Sequence, residues 1–381
     1  MNLLDRHIFK SVLFTCTAAV ALFAFVVVLP HIVRDLLSPL LAGQFNPATF
    51  VRLVALLFPF AISFALPMGI LTGVLLTLGR LSADSEITAM RAAGISVVRV
   101  ARPVFVLATL CTIGAVYINF ESAPWARVQF HREFADAVRT NPLGIIVPKT
   151  FIRDFKGAVL YVGAKEGSAL RDIWLWDLDG ESRVRRLVRA ESGQLTFDET
   201  TNSLVPTLNR ATIEERNPEH PEDFGKSPKI ATVERFEEIR ISLDRYFGQN
   251  LARMKQEWLT YDKLRAAQAR HAAQIPAPEK QAEYAREQMN FALIIQEKLN
   301  LSLAIFAFAL LGVPLGIKVS RRETSANLGL ALGLVLAYYI VTVVVKSLDK
   351  HPEFRPDLLI WLPNILFIGL GLWLFTRLER Q

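Results

Sequence analysis

Six apolar runs constrain this chain more than any other feature. They cover residues 12–32, 53–78, 104–120, 299–319, 328–345 and 358–375. Each is at or near the roughly 20 residues that a helix needs to cross a bilayer. A backbone in hydrocarbon must satisfy its own polar groups, so each run reads as a helix. The fold class that follows is an α-helical membrane protein with six transmembrane helices. Composition supports this: the chain is 52% hydrophobic and only 21% charged, with a mean hydropathy of +0.30, too apolar for a soluble domain of this length. The first run follows Arg6, His7 and Lys10. It is longer than a signal-peptide core and no A-x-A-like cleavage site follows it, so it reads as a retained helix. Pro59, Pro67 and Pro314 lie inside runs, where neighbouring helices support a kink.

Orientation follows from the short connections. Arg6 and Lys10 precede the first run. Arg80, Arg91, Arg99 and Arg102 lie between the second and third, Lys318, Arg321 and Arg322 between the fourth and fifth, and Arg377 and Arg380 after the sixth. With six spans all four groups fall on one face, and Lys and Arg mark that face as cytoplasmic. Both termini are therefore expected in the cytoplasm.

The six runs divide three plus three around a long polar insertion. The expected domains are 1–122, with three spans and a helix at 82–94; 123–298, an inserted all-β periplasmic domain with a helical return segment at 250–298; and 299–381, with the last three spans. Within the insertion, residues 150–155, 158–164, 172–178, 184–190, 193–197, 204–216 and 229–243 are short stretches rich in Val, Ile, Leu and aromatic residues. Lys156-Gly157, Glu166-Gly167, Asp179-Gly180 and Thr201-Asn202 punctuate them. This spacing predicts an antiparallel sandwich or a jelly-roll-like domain. Trp174 and Trp176 alternate with Ile173 and Leu175, so that strand carries apolar groups on both faces: it is covered on both sides or forms a docking edge. Leu251, Met254, Trp258, Leu259 and Tyr261 fit a helical stripe that Pro276 and Pro278 break, and a further helix from about Glu279 runs into the fourth span.

Several chemistries are excluded. There is no G-x-x-x-x-G-K-[ST], H-E-x-x-H or G-x-S-x-G motif. Cys16 and Cys111 lie inside apolar runs and offer neither a disulfide framework nor a metal site. The six histidines are dispersed. The net charge of +7 is scattered, which argues against nucleic acid. Asp, Glu and Lys are nearly missing from the span interiors, whereas ion-coupled pumps place such groups there. No catalytic, metal or cofactor site is expected on this chain.

Two features remain. The first is the stretch 76–96, LTLGRLSADSEITAMRAAGIS. It reads as a short surface helix that Ser82 or Asp84 caps, with Glu86 in its first turn, Ile87, Met90 and Arg91 at helical spacing, and Gly94 at its end. It is either an ordinary solvated helix or the piece that a soluble partner grips. The second is a set of cations at the outer ends of spans: Arg34, Arg52 and Lys346. They are snorkelling anchors or a rim that meets an anionic head group. A smooth apolar cavity with a basic rim suits an amphiphile with acyl chains and phosphates.

The run LPMGILTGVLLTLGRLSADSEITAMRAAGIS at 66–96 resembles the lipopolysaccharide export permease family, LptF/LptG. FALLGVPLGIKVSRRETSANLGLALGLVLAYYIV at 308–341 and the LPN segment at 362–364 add to the resemblance, as does the three-plus-three layout around a β-domain. The resemblance implies a permease subunit without catalytic residues or cofactor. It pairs with a second six-span permease, LptF or LptG. A dimer of a cytoplasmic ATPase, LptB-like, binds the ATP. Lipopolysaccharide passes from the membrane to a periplasmic bridge of LptC/LptA-like proteins. It also implies that the helix at 82–94 is the coupling helix, with Asp84, Ser85, Glu86, Met90 and Arg91 against the ATPase, and that Arg34 is the nearest match to the basic first-span residues that meet the glycolipid. Two other readings stand beside it: a membrane scaffold whose β-domain recruits envelope partners, and a lipid-modifying enzyme. Gly329 and Gly333 in the fifth span are candidates for close helix approach, as part of a lateral gate or as plain packing.

Overall fold

A computed structural model describes residues 3–41, 46–140, 144, 146–153, 155, 157–181, 183–198, 203–216, 228–237, 241–242, 255–273, 281–318, 324–348 and 352–379. The Thr201-Asn202 turn, Lys156, Leu243, Leu251, Met254, Pro276, Pro278, Arg321, Arg322 and Arg380 lie outside the described residues.

Helix α1 (Leu3–His31) continues through a π turn (Ile32–Leu36) into α2 (Leu37–Leu41). Then come α3 (Pro47–Ala83), α4 (Glu86–Ala92) and α5 (Val97–Tyr117), which passes through a second π turn (Ile118–Ser122) into α6 (Ala123–Thr140). After the strands follow α7 (Tyr261–Ala272), α8 (Gln281–Lys318), α9 (Thr324–Ser347), α10 (Pro356–Leu359) and α11 (Leu362–Glu379). Six of these stretches are long and apolar enough to cross a membrane. The inserted β-domain and the six spans are the architecture expected from the apolar runs.

The chain forms two compact units. One comprises residues 1–30, 56–129 and 255–381 and contains most of the helices. Its centre is α8: 72% of that helix's most apolar window is buried, against 28% for the first, fifth and sixth spans. Around it, Ile8, Val12 and Cys16 of α1, Val74 and Leu78 of α3, Val100 and Val104 of α5, and Ile305, Ala309 and Val313 of α8 form one core. Leu71, Leu75, Phe308, Ala331, Val335 and Tyr338 form a second, against α9. Close approach is tightest at Gly69 and Gly73 of α3, where an added Cβ would run into Val20 and Cys16 of α1; Gly316 and Gly371 also lie close to neighbouring backbone. Small residues four apart let two backbones touch in this way. Gly329 and Gly333 have nothing within 4 Å of an added Cβ, so within this chain they pack against no neighbour.

The other unit, residues 31–55 and 130–254, holds the sheet. Its strands are β1 (Phe151–Ile152), β2 (Ala158–Glu166), β3 (Ala169–Leu178), β4 (Val184–Asp198), β5 (Ser203–Glu215), β6 (Lys229–Phe236) and β7 (Ile241–Ser242). All pair antiparallel in chain order from β1 to β6, with β7 on β5. The register aligns Leu160 with Leu175 and Leu175 with Val188, so one face supplies Leu160, Val162, Ile173, Leu175 and Val188 to a single core. On the opposite face Trp174, Trp176, Tyr161 and Phe151 touch one another, with ring centroids 5.0 to 5.9 Å apart. The two stretches expected at 184–190 and 193–197 are one strand. Gly193 does not turn the chain but lets β5 come close, a Cβ there lying 2.8 Å from Thr207 O.

The helical stripe expected through Tyr261 starts later. Trp258 sits in a 3-10 turn (Gln256–Trp258), Leu259 is extended, and Thr260 precedes α7. The helix into the fourth span is continuous over Gln281–Lys318.

Candidate functional site

The short helix α4 is built differently from the capping expected of it. Ser82 does not cap: its hydroxyl donates to Ile317 O at 2.9 Å, 235 residues along the chain. Nor does Asp84, whose amide still donates to Arg80 O at 2.9 Å as the tail of α3. The N-cap is Ser85, in the left-handed region at φ +60°, with no side-chain cap bond. Gly94 does close the helix. At φ +83° its amide donates to Arg91 O, and Ile95 N donates to Met90 O at 3.0 Å, which is the paired closure of a Schellman motif. The next helix opens on Ser96, whose hydroxyl accepts from Arg99 N.

These ends give α4 two faces. Ile87, 2% exposed, is plugged into the core shared by α1, α3, α5 and α8, and Met90 and Ile95 pack beside it. Asp84, Ser85, Thr88, Ala89 and Ala92 are exposed, while Glu86 and Arg91 are half-buried at the flanks. Met90, expected to reach outward, turns inward. Thr88, Ala89 and Ala92 were not singled out from sequence; their signal was spacing, since they lie opposite Ile87. The core that seats Ile87 also takes in Leu378 and Phe375 of α11.

The cations are placed as follows. Arg34 lies in the first π turn, its side chain 75% exposed and forked onto Asp35 at 2.8 and 3.2 Å. His31 Nδ1 lies 3.4 Å from the same carboxylate. Arg52 is exposed near the start of α3. Lys346, at the end of α9, reaches Glu297 Oε1 of α8 at 2.8 Å, the two side chains 40% and 26% exposed. Arg34 and Arg52 belong to one compact unit and Lys346 to the other.

A buried polar hub lies inside the helical unit, and sequence reasoning missed it. Asn364 Nδ2 donates to both Asn300 O and Asn300 Oδ1 at 2.8 Å. Asn300 Nδ2 donates to Tyr338 OH at 3.0 Å. Asn119 Nδ2 donates to Ser302 Oγ at 2.9 Å, and that hydroxyl donates to Lys298 O. Asn300, Asn364 and Tyr338 are each at most 2% exposed. The hub ties the third, fourth, fifth and sixth spans together. The available signal was one amide inside each of three otherwise apolar runs.

Six spans, a three-plus-three division around an antiparallel sheet, and a seated helix between the second and third spans can now be set beside known proteins. A family model for the lipopolysaccharide export system permease LptF/LptG matches residues 6–377. The chain belongs to this family. It is 24% identical to the lipopolysaccharide export system permease protein LptF of Escherichia coli K12 over 333 residues, 86% of this chain and 82% of that protein. The identity and coverage are the same for LptF of Shigella flexneri. Membership makes this LptF/LptG-family chain a multi-pass protein of the bacterial inner membrane and a permease component of a lipopolysaccharide exporter. Asn364 of the LPN segment is the donor to Asn300.

Proposed function

We propose that this LptF/LptG-family chain is one half of the membrane body of an ATP-driven exporter, which takes lipopolysaccharide from the inner membrane and hands it to a periplasmic bridge. The observation that carries the reading is the family match over residues 6–377. The second half is a second six-span permease. ATP is bound by a separate cytoplasmic ATPase dimer, and this chain contributes no catalytic group or cofactor. Both termini and α4 face the cytoplasm, in keeping with the basic short connections. The sheet domain is periplasmic and receives the glycolipid before the LptC/LptA-like bridge.

On this reading α4 is the coupling helix. Its seating through Ile87 and its exposed Asp84, Ser85, Thr88, Ala89 and Ala92 support that role. Small side chains let a groove of the ATPase close around it. Glu86 and Arg91 flank the contact, and Met90 positions the helix from below. Arg34, Arg52 and Lys346 serve the anionic head group. A tagged chain extracted in mild detergent tests the assembly: it should bring down a soluble ATPase and a second permease with ATPase activity in the eluate. A chain that elutes alone and inactive would remove the coupling role.

A further inference from the structure

The Lys346–Glu297 pair sits where an amphiphile's head group would meet the protein. About 30 Å of helix, at roughly 1.5 Å per residue, separates Glu297 from Lys318 at the other end of α8, which is the depth of a bilayer core. Lys346 is likewise at the far end of α9 from Thr324. The pair therefore joins the two helices at one membrane boundary.

The fifth span is lightly held. Only 28% of its most apolar window is buried, and Leu332, Leu336, Ile340, Val343 and Val344 are all more than half exposed. Its attachments include the buried stripe Ala331, Val335 and Tyr338, the Asn300–Tyr338 hydrogen bond, Val345 buried with Leu293 and Ile360, and the Lys346–Glu297 ion pair. The first three are buried. The ion pair is half-exposed, and a half-exposed ion pair is weak enough to be exchanged.

We propose that Glu297 is a built-in competitor for the anion site on Lys346. The anionic head group of an amphiphile takes the Lys346 ammonium from the Glu297 carboxylate, and this exchange removes the polar tie between the ends of the fourth and fifth spans, leaving their apolar contact through Val345 and Leu293. A phosphate carries more charge than a carboxylate and offers three acceptor oxygens, so it competes well for an ammonium. Once bound, it leaves Glu297 facing a like charge across the gap, which pushes the helix ends apart. Tyr338, pinned by Asn300 and through it by Asn364, remains as the pivot. Glu297 thus makes entry conditional: an uncharged amphiphile finds the span latched. The inference rests on the export reading only for the identity of the anion.

The test uses the full chain with its co-purifying partners in phosphatidylcholine nanodiscs. Binding is measured for a phosphorylated glycolipid, its dephosphorylated form, and phosphatidylglycerol. Glu297→Gln should tighten binding of the phosphorylated glycolipid up to about five-fold, the worth of such a pair, and, with the latch gone, should admit the dephosphorylated form as well. Lys346→Gln should abolish the preference for phosphate, and the double variant should behave like Lys346→Gln. The swap Glu297→Lys with Lys346→Glu restores an exchangeable pair and should recover the phosphate preference that Lys346→Gln loses, which separates exchange from misfolding. Phosphorylated glycolipid binding that is indifferent to both single variants overturns the exchange while leaving the export reading intact. The same dependence seen with phosphatidylglycerol and not with glycolipid upholds the exchange and counts against the export reading. No binding of any anionic lipid overturns both.

Discussion

At the scale of residues, packing tells apart side chains that look alike in sequence. The chain carries three glycine pairs spaced by four in its spans. Gly69 and Gly73 lie against the Val20 and Cys16 backbones and Gly316 against that of Leu75, while Gly329 and Gly333 meet nothing within 4 Å among the described residues. Gly73→Leu should therefore lower stability by about 1–3 kcal/mol, because Cys16 backbone atoms cannot move away, while Gly333→Ala should change it by less than about 0.5 kcal/mol. Thermal unfolding followed by detergent size-exclusion chromatography measures both. The hub makes a second contrast. Asn300→Leu removes one of the two acceptors of the Asn364 amide and the donor to the Tyr338 hydroxyl, while the bond to the residue-300 carbonyl stays, and should cost about 1–3 kcal/mol for each buried group left unmet. Adding Asn364→Leu should then cost less than it does alone, since the amide it removes has already lost a partner. Additive losses would mean that the two amides do not act together. In the sheet unit, Asp179 accepts from the Arg183 and Glu181 amides and from the Arg183 guanidinium. These bonds, the Arg183 amide foremost, hold its carboxyl below the usual carboxylate range. A depressed folded value gives stability that is present above the unfolded carboxylate pKa and is lost as pH falls through the folded one. Protection of the Glu181 and Arg183 amides, measured as exchange relative to the intrinsic rate at each pH, should fall on acidification, and Asp179→Asn should remove that dependence.

At the scale of elements, the spans and the strands were legible because burial writes hydropathy and alternation into the chain. The ends and partners were not. Ser82 reads as a cap by residue type, yet its hydroxyl is spent on Ile317 O, and no local pattern announces a partner 235 residues away. Residues 184–190 and 193–197 read as two stretches and are one strand, in which Gly193 is a point of close approach to β5. Lys346 reads as a free rim cation and is paired with Glu297, 49 residues distant in sequence. The outward face of α4 was half legible: spacing from Ile87 defines it, but the inward turn of Met90 depends on the core it finds. This division of faces carries a prediction. Thr88→Arg should leave thermal stability within about 0.5 kcal/mol and abolish co-purification of the ATPase. Ile87→Asp should unseat α4 and destabilise the chain. A Thr88→Arg chain that retains full ATPase binding and transport would place the contact elsewhere.

At the scale of the whole molecule, the account assigns power and path to different parts. The spans and α4 carry the stroke; the sheet domain, inserted between the third and fourth spans, carries the product away. Deleting residues 150–243 should therefore spare membrane insertion and ATPase binding but keep lipopolysaccharide from the cell surface. The most direct test of the central claim is ATP-dependent release of lipopolysaccharide from proteoliposomes that hold this chain with its co-purifying partners, collected on a soluble bridge protein. The account predicts transfer that requires ATP, is lost with Thr88→Arg, and persists when only the lipid is changed to a shorter-chain lipopolysaccharide. Equal transfer with and without ATP, or none from an assembly with full ATPase activity, would contradict it.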